Sequence, residues 1–266
     1  MTHPSPLDTL LATLADDGDD IAATIDPSWM QGRTAYGGIS SAVALAAVLR
    51  KHEPEQPLRC AQISFVGPVG GDCRVATRVI RQSKSSLFVD AGVSGADGFG
   101  TAALFTFSRA RASHLDHDRL AMPEAAAPEM LEPVPASKYR PEFTRHFDMR
   151  PTTGPRLLTQ QDHAEMLTWV RFNENPTCHP AVALLALGDA LPPAALHLFH
   201  EFGPISSMNW TVNMLVDTPT TDADGWWLLS ATSRYARGGF SVQDMMIWNR
   251  AGQAVVSGSQ AVAIYC

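Results

Sequence analysis

A chain of 266 residues has room for two packed units or one large domain, and an apolar share of 45% with a charged share of 18% is that of a folded protein rather than a disordered one. The net charge of -7 excludes the usual nucleic-acid binder, which needs an excess of Lys and Arg to displace counterions from phosphates. No run approaches the ~20 apolar residues that span a bilayer, and the N-terminal MTHPSPLDTLLATLADDGDD lacks a basic region ahead of an apolar one. The four cysteines, Cys60, Cys73, Cys178 and Cys266, have neither metal-ligand pairing nor the density of a secreted scaffold. The expectation is a cytoplasmic protein with free thiols, no nucleic-acid partner and no membrane insertion.

In chain order, a short strand is expected near Asp20 to Ile25, ahead of a helix over Gly37 to Arg50, where GGISSAVALAAVLR runs for three turns of good helix formers without a breaker. Four strand-like runs follow, at Cys60 to Val66, Cys73 to Arg81, Leu87 to Val93 and Thr101 to Phe107, separated by GPVGGD, QSKSS and SGADGFG. The stretch Ala110 to Tyr139 is rich in Pro, Ala and charge, lacks alternation and reads as a linker. Beyond it a strand is expected near Glu142 to Met149 or Ala164 to Arg171, then a helix at Pro180 to Ala190, with Pro180 suited to the first helical position. Further strands fall near Ser206 to Val216, Trp226 to Tyr235, Ser241 to Asn249 and Ala254 to Ile264.

One plan is thus repeated. AVALAAVLR at 42–50 lies over AVALLALGD at 181–189, and AGQAVVSGSQ lies over ADGFGTAALFT with Gly252 and Gly98 in register. Matched helices, each followed by four matched strands, suggest an internal duplication. The division is residues 1–110, a linker at 111–139, and residues 140–266 carrying the candidate site. A long helix wrapped by an antiparallel sheet is the hotdog arrangement, so the fold class is α+β, a tandem double hotdog. Pairing of the two units edge to edge would cover an otherwise exposed sheet edge.

Polar residues that interrupt apolar rows mark candidate chemistry. Asp189 follows Val182 and Leu185 at helical spacing and ends the second helix just before Leu191, Pro192 and Pro193. Burial and the negative end of the helix dipole both oppose its charge, and both would raise its pKa toward that of a general base. By strand parity Gln260 shares a face with Ala254, Val256, Val262 and Ile264, and an amide in such a row needs partners. Parity groups Ser207 with Asn209, Thr211 and Asn213, on the face opposite Trp210. In the overlay Arg50 stands opposite Asp189 and Thr106 opposite Gln260, so the first half lacks the acid.

The chain resembles the acyl-CoA thioesterase II family, whose members are tandem double hotdogs. The likeness is carried by GRTAYGGISSAVALAAVLR and FVGPVGGD, then by LLALGDAL, ISSMNWTVNMLVDTP, WWLLSATSRYARGGF and IWNRAGQAVVSGSQAVAIY. That family has Asp, Thr and Gln at the positions held here by Asp189, Ser207 and Gln260. The resemblance implies hydrolysis of an acyl-CoA thioester by one activated water, with these three residues catalytic, CoA present as part of the substrate, and no cofactor or metal. It also implies a homodimer of double-hotdog protomers. A backbone N–H near Gly38 is expected to polarise the thioester carbonyl, Gln62 sits where the family often has His, and Arg33 and Arg50 are basic partners for the CoA phosphates.

Two other readings start from the same fold. NENPTCH at 173–179 approaches the D-x-N-P-x-H pattern of hotdog enoyl-CoA hydratases, but Asn173 replaces the Asp, Cys178 stands where the His belongs, and His179 comes one residue late. A non-catalytic acyl-CoA binding protein is the other, since a fold does not fix a function. His114, Asp116, His117, His197 and His200 are metal-capable residues expected in surface segments.

Overall fold

The computed structural model describes residues 4–152, 163–201 and 203–265; Cys266 lies outside them. In chain order the first half holds helix α1 (Leu7–Leu11), strands β1 (Ala15–Asp17) and β2 (Asp20–Ile25), and a small hairpin of β3 (Met30–Gln31) and β4 (Thr34–Ala35). Helix α2 (Gly37–His52) follows, then β5 (Leu58–Phe65), β6 (Gly71–Gln82), β7 (Ser86–Gly95) and β8 (Gly98–Ser108). The second half holds β9 (Phe147–Pro151), β10 (Glu165–Phe172), helix α3 (Pro180–Gly188), β11 (Ile205–Met214), β12 (Trp227–Arg237), β13 (Phe240–Asn249) and β14 (Ala254–Ile264). Both strands offered as alternatives for the start of this half therefore form, the first only from Phe147, after a 3-10 turn at Glu142–His146.

Twelve strands make one antiparallel sheet in the order β1-β2-β6-β7-β8-β5-β11-β14-β13-β12-β10-β9. Read inward from either edge the connectivity is the same, so the duplication suggested by the repeated helices extends to all twelve strands of this sheet, and the β3–β4 hairpin stands outside it. The halves join edge to edge where β5 pairs with β11, with Ile63 opposite Trp210 and Gln62 opposite Thr211. Both central edges are thereby paired.

Within the curve of the sheet α2 and α3 pack on each other, and apolar side chains of both halves form one core. That position explains why neither helix has a single apolar stripe: from Gly38 to Val48 only Ala46 is not fully buried, and in α3 only Ala183 between Ala181 and Gly188. Helix α2 ends at Glu53, in left-handed conformation (φ 43°), with Arg50, Lys51 and His52 at its negative pole. Helix α3 starts on Pro180, with His179 Nδ1 accepting from the Ala181 N–H at 3.2 Å. No helix among the described residues is long and apolar enough to cross a membrane.

Residues 111–139 contain no regular element beyond a 3-10 turn at Pro128–Met130, yet part of this segment is firmly docked. Trp248 Nε1 donates to Leu120 O at 2.8 Å and Trp169 Nε1 to Ala126 O at 2.9 Å, while Arg250 holds Glu129 through two bonds of 2.9 Å. Met122, Ala125 and Leu131 complete an apolar patch with Trp169, Trp226 and Trp248 on the outer face of the second half. The segment is a strap across that face as well as a connection.

Candidate active site

A cavity of about 370 Å³ opens where the N-terminus of α2 meets the C-terminus of α3. Its wall comes from both halves: Arg33, Gly37, Ser40 and Thr101 from the first, Asp189, Ser206 and Ser207 from the second. Most of the wall, including the start of α2, belongs to the first half, while Asp189, Ser206 and Ser207 come from residues 140–266.

Asp189 is the C-cap residue of α3 (φ -96°, ψ 13°), released from the helix so that its partly buried carboxylate faces the start of α2. A glycine there makes the approach possible. A Cβ at Gly37 would lie 2.6 Å from Asp189 Oδ2 and 2.9 Å from Phe65 Cζ, so any side chain would push the carboxylate away. Burial lifts the Asp189 carboxyl to about 7, against the opposing pull of the Gln260 amide and the Gly38 backbone. Burial thus acts as the sequence suggested, while the positive end of α2 partly offsets it. Tyr36, stacked on Phe143 at 4.0 Å, is buried beside this pair, and its hydroxyl is held well above the ordinary range by burial and then by the Asp189 charge.

Gln260 Nε2 donates to Asp189 Oδ1 at 2.8 Å. Behind it stands a residue that the sequence reading passed over. Gln243 lies directly across from Gln260 in the β13–β14 register, is 1% exposed, donates from Nε2 to Gln260 Oε1 at 2.9 Å and accepts from the Ala194 N–H at 2.8 Å. The signal was present: Ser241, Gln243, Met245 and Ile247 share the inner face of β13, and Gln243 is the amide in that row. Four groups, from a backbone N–H to a carboxylate, form one buried polar chain.

Ser207 lines the same cavity, and on the face opposite to that expected from parity. A β-bulge between Ser207 and Asn209 inserts Met208 into β11, so Ser207 pairs with Val262 while Trp210 pairs with Gln260. Since cross-strand partners share a face, Ser207 points inward with Trp210 and Gln260, and Met208 is left 46% exposed.

The other expected contacts fare differently. Arg33 is exposed in the β3–β4 hairpin and lines the cavity. Gln62 does not: it alternates with buried Ala61 and Ile63, so its side chain lies on the outer face, away from Asp189. Arg50 lies at the far end of α2, roughly 20 Å from Gly37 at the helical rise, paired with Asp16 at 3.2 Å. The Gly38 backbone, at the first turn of α2, is near enough to Asp189 to lower its carboxyl pKa. Thr106 is not an inward counterpart of Gln260; its inner-face neighbours are Phe105 and Phe107, both fully buried.

The hydratase-like heptapeptide has structural uses. His179 caps α3, Asn173 donates to Arg145 O and Asn175 to Ala223 O. Burial, and next the neighbouring Asp8 charge, push the Cys178 thiol up to about 12. His197, expected at the surface, is buried in a 3-10 turn at Ala194–Leu198.

Residues 25–110 match the acyl-CoA thioesterase N-terminal domain and residues 123–264 the acyl-CoA thioesterase C-terminal domain. No curated protein matches the sequence significantly. Among solved structures, the chain is similar to a hot dog fold protein of unknown function from Alicyclobacillus acidocaldarius, with TM-score 0.86, 18% identity and coverage of 98% of this chain and 99% of that one. It is also similar to a TesB protein of Mycobacterium avium subsp. paratuberculosis (TM-score 0.80, 18% identity, coverage 98% and 100%). An acyl-CoA thioesterase II of Mycobacterium marinum gives TM-score 0.75 at 16% identity, with 96% of each chain covered. These likenesses show the fold, a tandem double hotdog, and the two domain matches, in order and over most of the sequence, show that the chain belongs to the acyl-CoA thioesterase family.

Proposed function

We propose that this protein hydrolyses acyl-CoA thioesters to the free acid and CoA, using water as the nucleophile and no covalent intermediate. The observation that carries the reading is a carboxyl with a pKa of about 7, placed in the wall of a cavity and anchored through one oxygen by Gln260. Such a group is half ionised near neutrality and is matched to proton transfer there. In the proposed step Asp189 takes a proton from a water held by Ser207 and Gln260. The water oxygen adds to the thioester carbonyl, the C–S bond then breaks, and the CoA sulfur leaves with a proton. Arg33, at the lip, suits the phosphates of CoA. No group besides water and these side chains is needed to balance the reaction.

Purified protein assayed with acyl-CoAs from acetyl to palmitoyl and a thiol-reactive dye should release free thiol. A folded Asp189→Asn variant turning over at the parent rate would sink the assignment. Tight binding of these thioesters with no thiol release from the parent would instead select a binding protein.

A further inference from the structure

Side-chain amides have two nearly isosteric ends, and which end faces a partner is decided by the network around them. Gln260 has opposite effects on Asp189 in its two orientations. With Nε2 forward it donates to the carboxylate and stabilises the charged base. Turned over, it offers Oε1, repels the anion and favours the protonated acid. The direction of this amide is therefore a control point, and something must hold it.

We propose that Gln243 is a positioning residue that locks the Gln260 amide with its donor end toward Asp189. The lock is anchored on a group that cannot turn over. The Ala194 backbone N–H can only donate, and at 2.8 Å it fixes Gln243 Oε1 toward itself. Gln243 Nε2 must then face Gln260, and at 2.9 Å it requires an acceptor there, so Gln260 presents Oε1 backward and Nε2 forward, 2.8 Å from Asp189 Oδ1. Gln243 and Gln260 are 1% and 2% exposed, so water does not compete for these bonds. The sheet register supports the same conclusion, since Gln243 and Gln260 are direct cross-strand partners on the inner face. In the first half, the inner-face pairs of β7 and β8 are Leu87–Phe107, Val89–Phe105 and Ala91–Ala103, so an apolar pair fits this strand position and the amide pair is a departure from it.

The inference rests on Asp189 acting as the base, and concerns how that base is kept available. Among the described residues, the other titratable or charged groups at Asp189 are Tyr36, ahead of α2, and Arg33, from the β3–β4 hairpin in the same cavity wall. The uncharged groups that favour its ionised form are the Gln260 amide and the Gly38 backbone of α2. The hydrogen bonds of Gln243 run to Ala194 and Gln260 rather than to any of these, so a change there reaches Asp189 through Gln260.

The test compares wild type, Gln243→Met and Gln243→Glu in two measurements: the pH profile of kcat/KM and the titration of the Asp189 side-chain carbon by carbon-13 NMR, assigned through Asp189→Asn. Gln243→Met keeps the length but removes both polar ends. The expected result is an Asp189 titration moved upward by about one pH unit, with the acidic limb of kcat/KM moving with it while KM above that limb stays within about twofold. In Gln243→Glu the introduced carboxyl, while neutral, still accepts from Ala194 and donates its proton to Gln260, so this variant should recover the wild-type position until that carboxyl ionises. Its Asp189 carbon should then report a second, coupled step. A folded Gln243→Met variant with an unmoved Asp189 titration overturns the proposal. Should that variant fail to fold, an Asp189 titration in Gln243→Glu that stays unmoved while the introduced carboxyl, read through its own carbon-13 signal, ionises overturns it instead. Because the carbon signal reads Asp189 without turnover, absence of thioester hydrolysis in the wild type would sink the functional reading alone.

Discussion

The two helix starts of this duplicated fold have opposite fates. At the start of α2 the Asp189 carboxylate packs against Gly37, and the junction opens into a cavity. Ahead of α3, the Thr177 and Cys178 N–H groups are taken by the Asp8 carboxylate at 2.7 and 3.1 Å, the Thr177 hydroxyl by Asp8 at 2.7 Å, and the first turn is capped by the His179 ring. One start is thus built around an acid from the neighbouring helix end, and the other is closed by the chain's own N-terminal segment. The strand pairs differ in the same sense, with Gln243 against Gln260 where the first half sets apolar side chains. Duplication supplies two similar frames, and local substitution sets a buried acid and an amide pair in one of them.

The comparison is broken most severely by Asp189→Asn, which should cut thioester hydrolysis by ~10²- to 10⁴-fold, the usual range for a general base; steady-state kinetics on a variant with wild-type circular dichroism checks this. Gly37→Ala should follow, with a loss of up to about 10²-fold from displacement of the carboxylate, read as a fall in kcat larger than any change in KM. Ser207→Ala should cost about tenfold if it holds the attacking water. The acidic limb of the wild-type profile should lie near pH 7, because only the ionised carboxyl accepts a proton. Stability should show the converse. The Asp189 carboxyl binds its proton more tightly in the folded state, at about 7, than at its ordinary 3.8, so its stabilising contribution is present below about pH 4 and is lost as pH rises to about 7. Asp189→Asn should therefore melt at a higher temperature than wild type above pH 7, a difference that shrinks toward pH 4. The smallest functional effect belongs to the closed start: Asp8→Ala should cost about 1–2 kcal/mol of stability, as a lost helix cap does, while kcat/KM at pH 8 stays unchanged.

Helices and strands were legible because their signals are periodic and local: the uninterrupted AVALAAVLR run, the turn glycines Gly98 and Gly252, and the prolines around α3. Asp189 and Gln260 were legible as polar breaks in apolar rows, and Gln243 obeyed the same rule, though the exposed Asp244 beside it makes the pair look like surface. Ser207 was legible only through the resemblance. Parity assigned it outward, since a bulge is a property of two paired strands and Met208 carries no mark of one. Gln62 shows the converse, where the resemblance singled out a position whose side chain alternation places on the outer face, as the structure has it. The docked strap was invisible for a similar reason. Its anchors are indole N–H groups of Trp169 and Trp248, remote in sequence, acting on backbone carbonyls that any residue would supply.

The bulge in β11 also decides whether a serine lies beside Gln260. Ser206 and Ser207 are adjacent and both border the cavity. Deleting Met208 would join Ser207 directly to Asn209 and keep Ser207 opposite Val262, so the inward row would be unchanged. Absorbing Met208 into a regular ladder would instead set Met208 opposite Val262, turn Ser207 outward and bring Ser206 to the inner face opposite Ile264. In either phase a serine stands on the inner face of β11, but only without the extra residue, or with it bulged out, does that serine lie opposite Val262, beside Gln260.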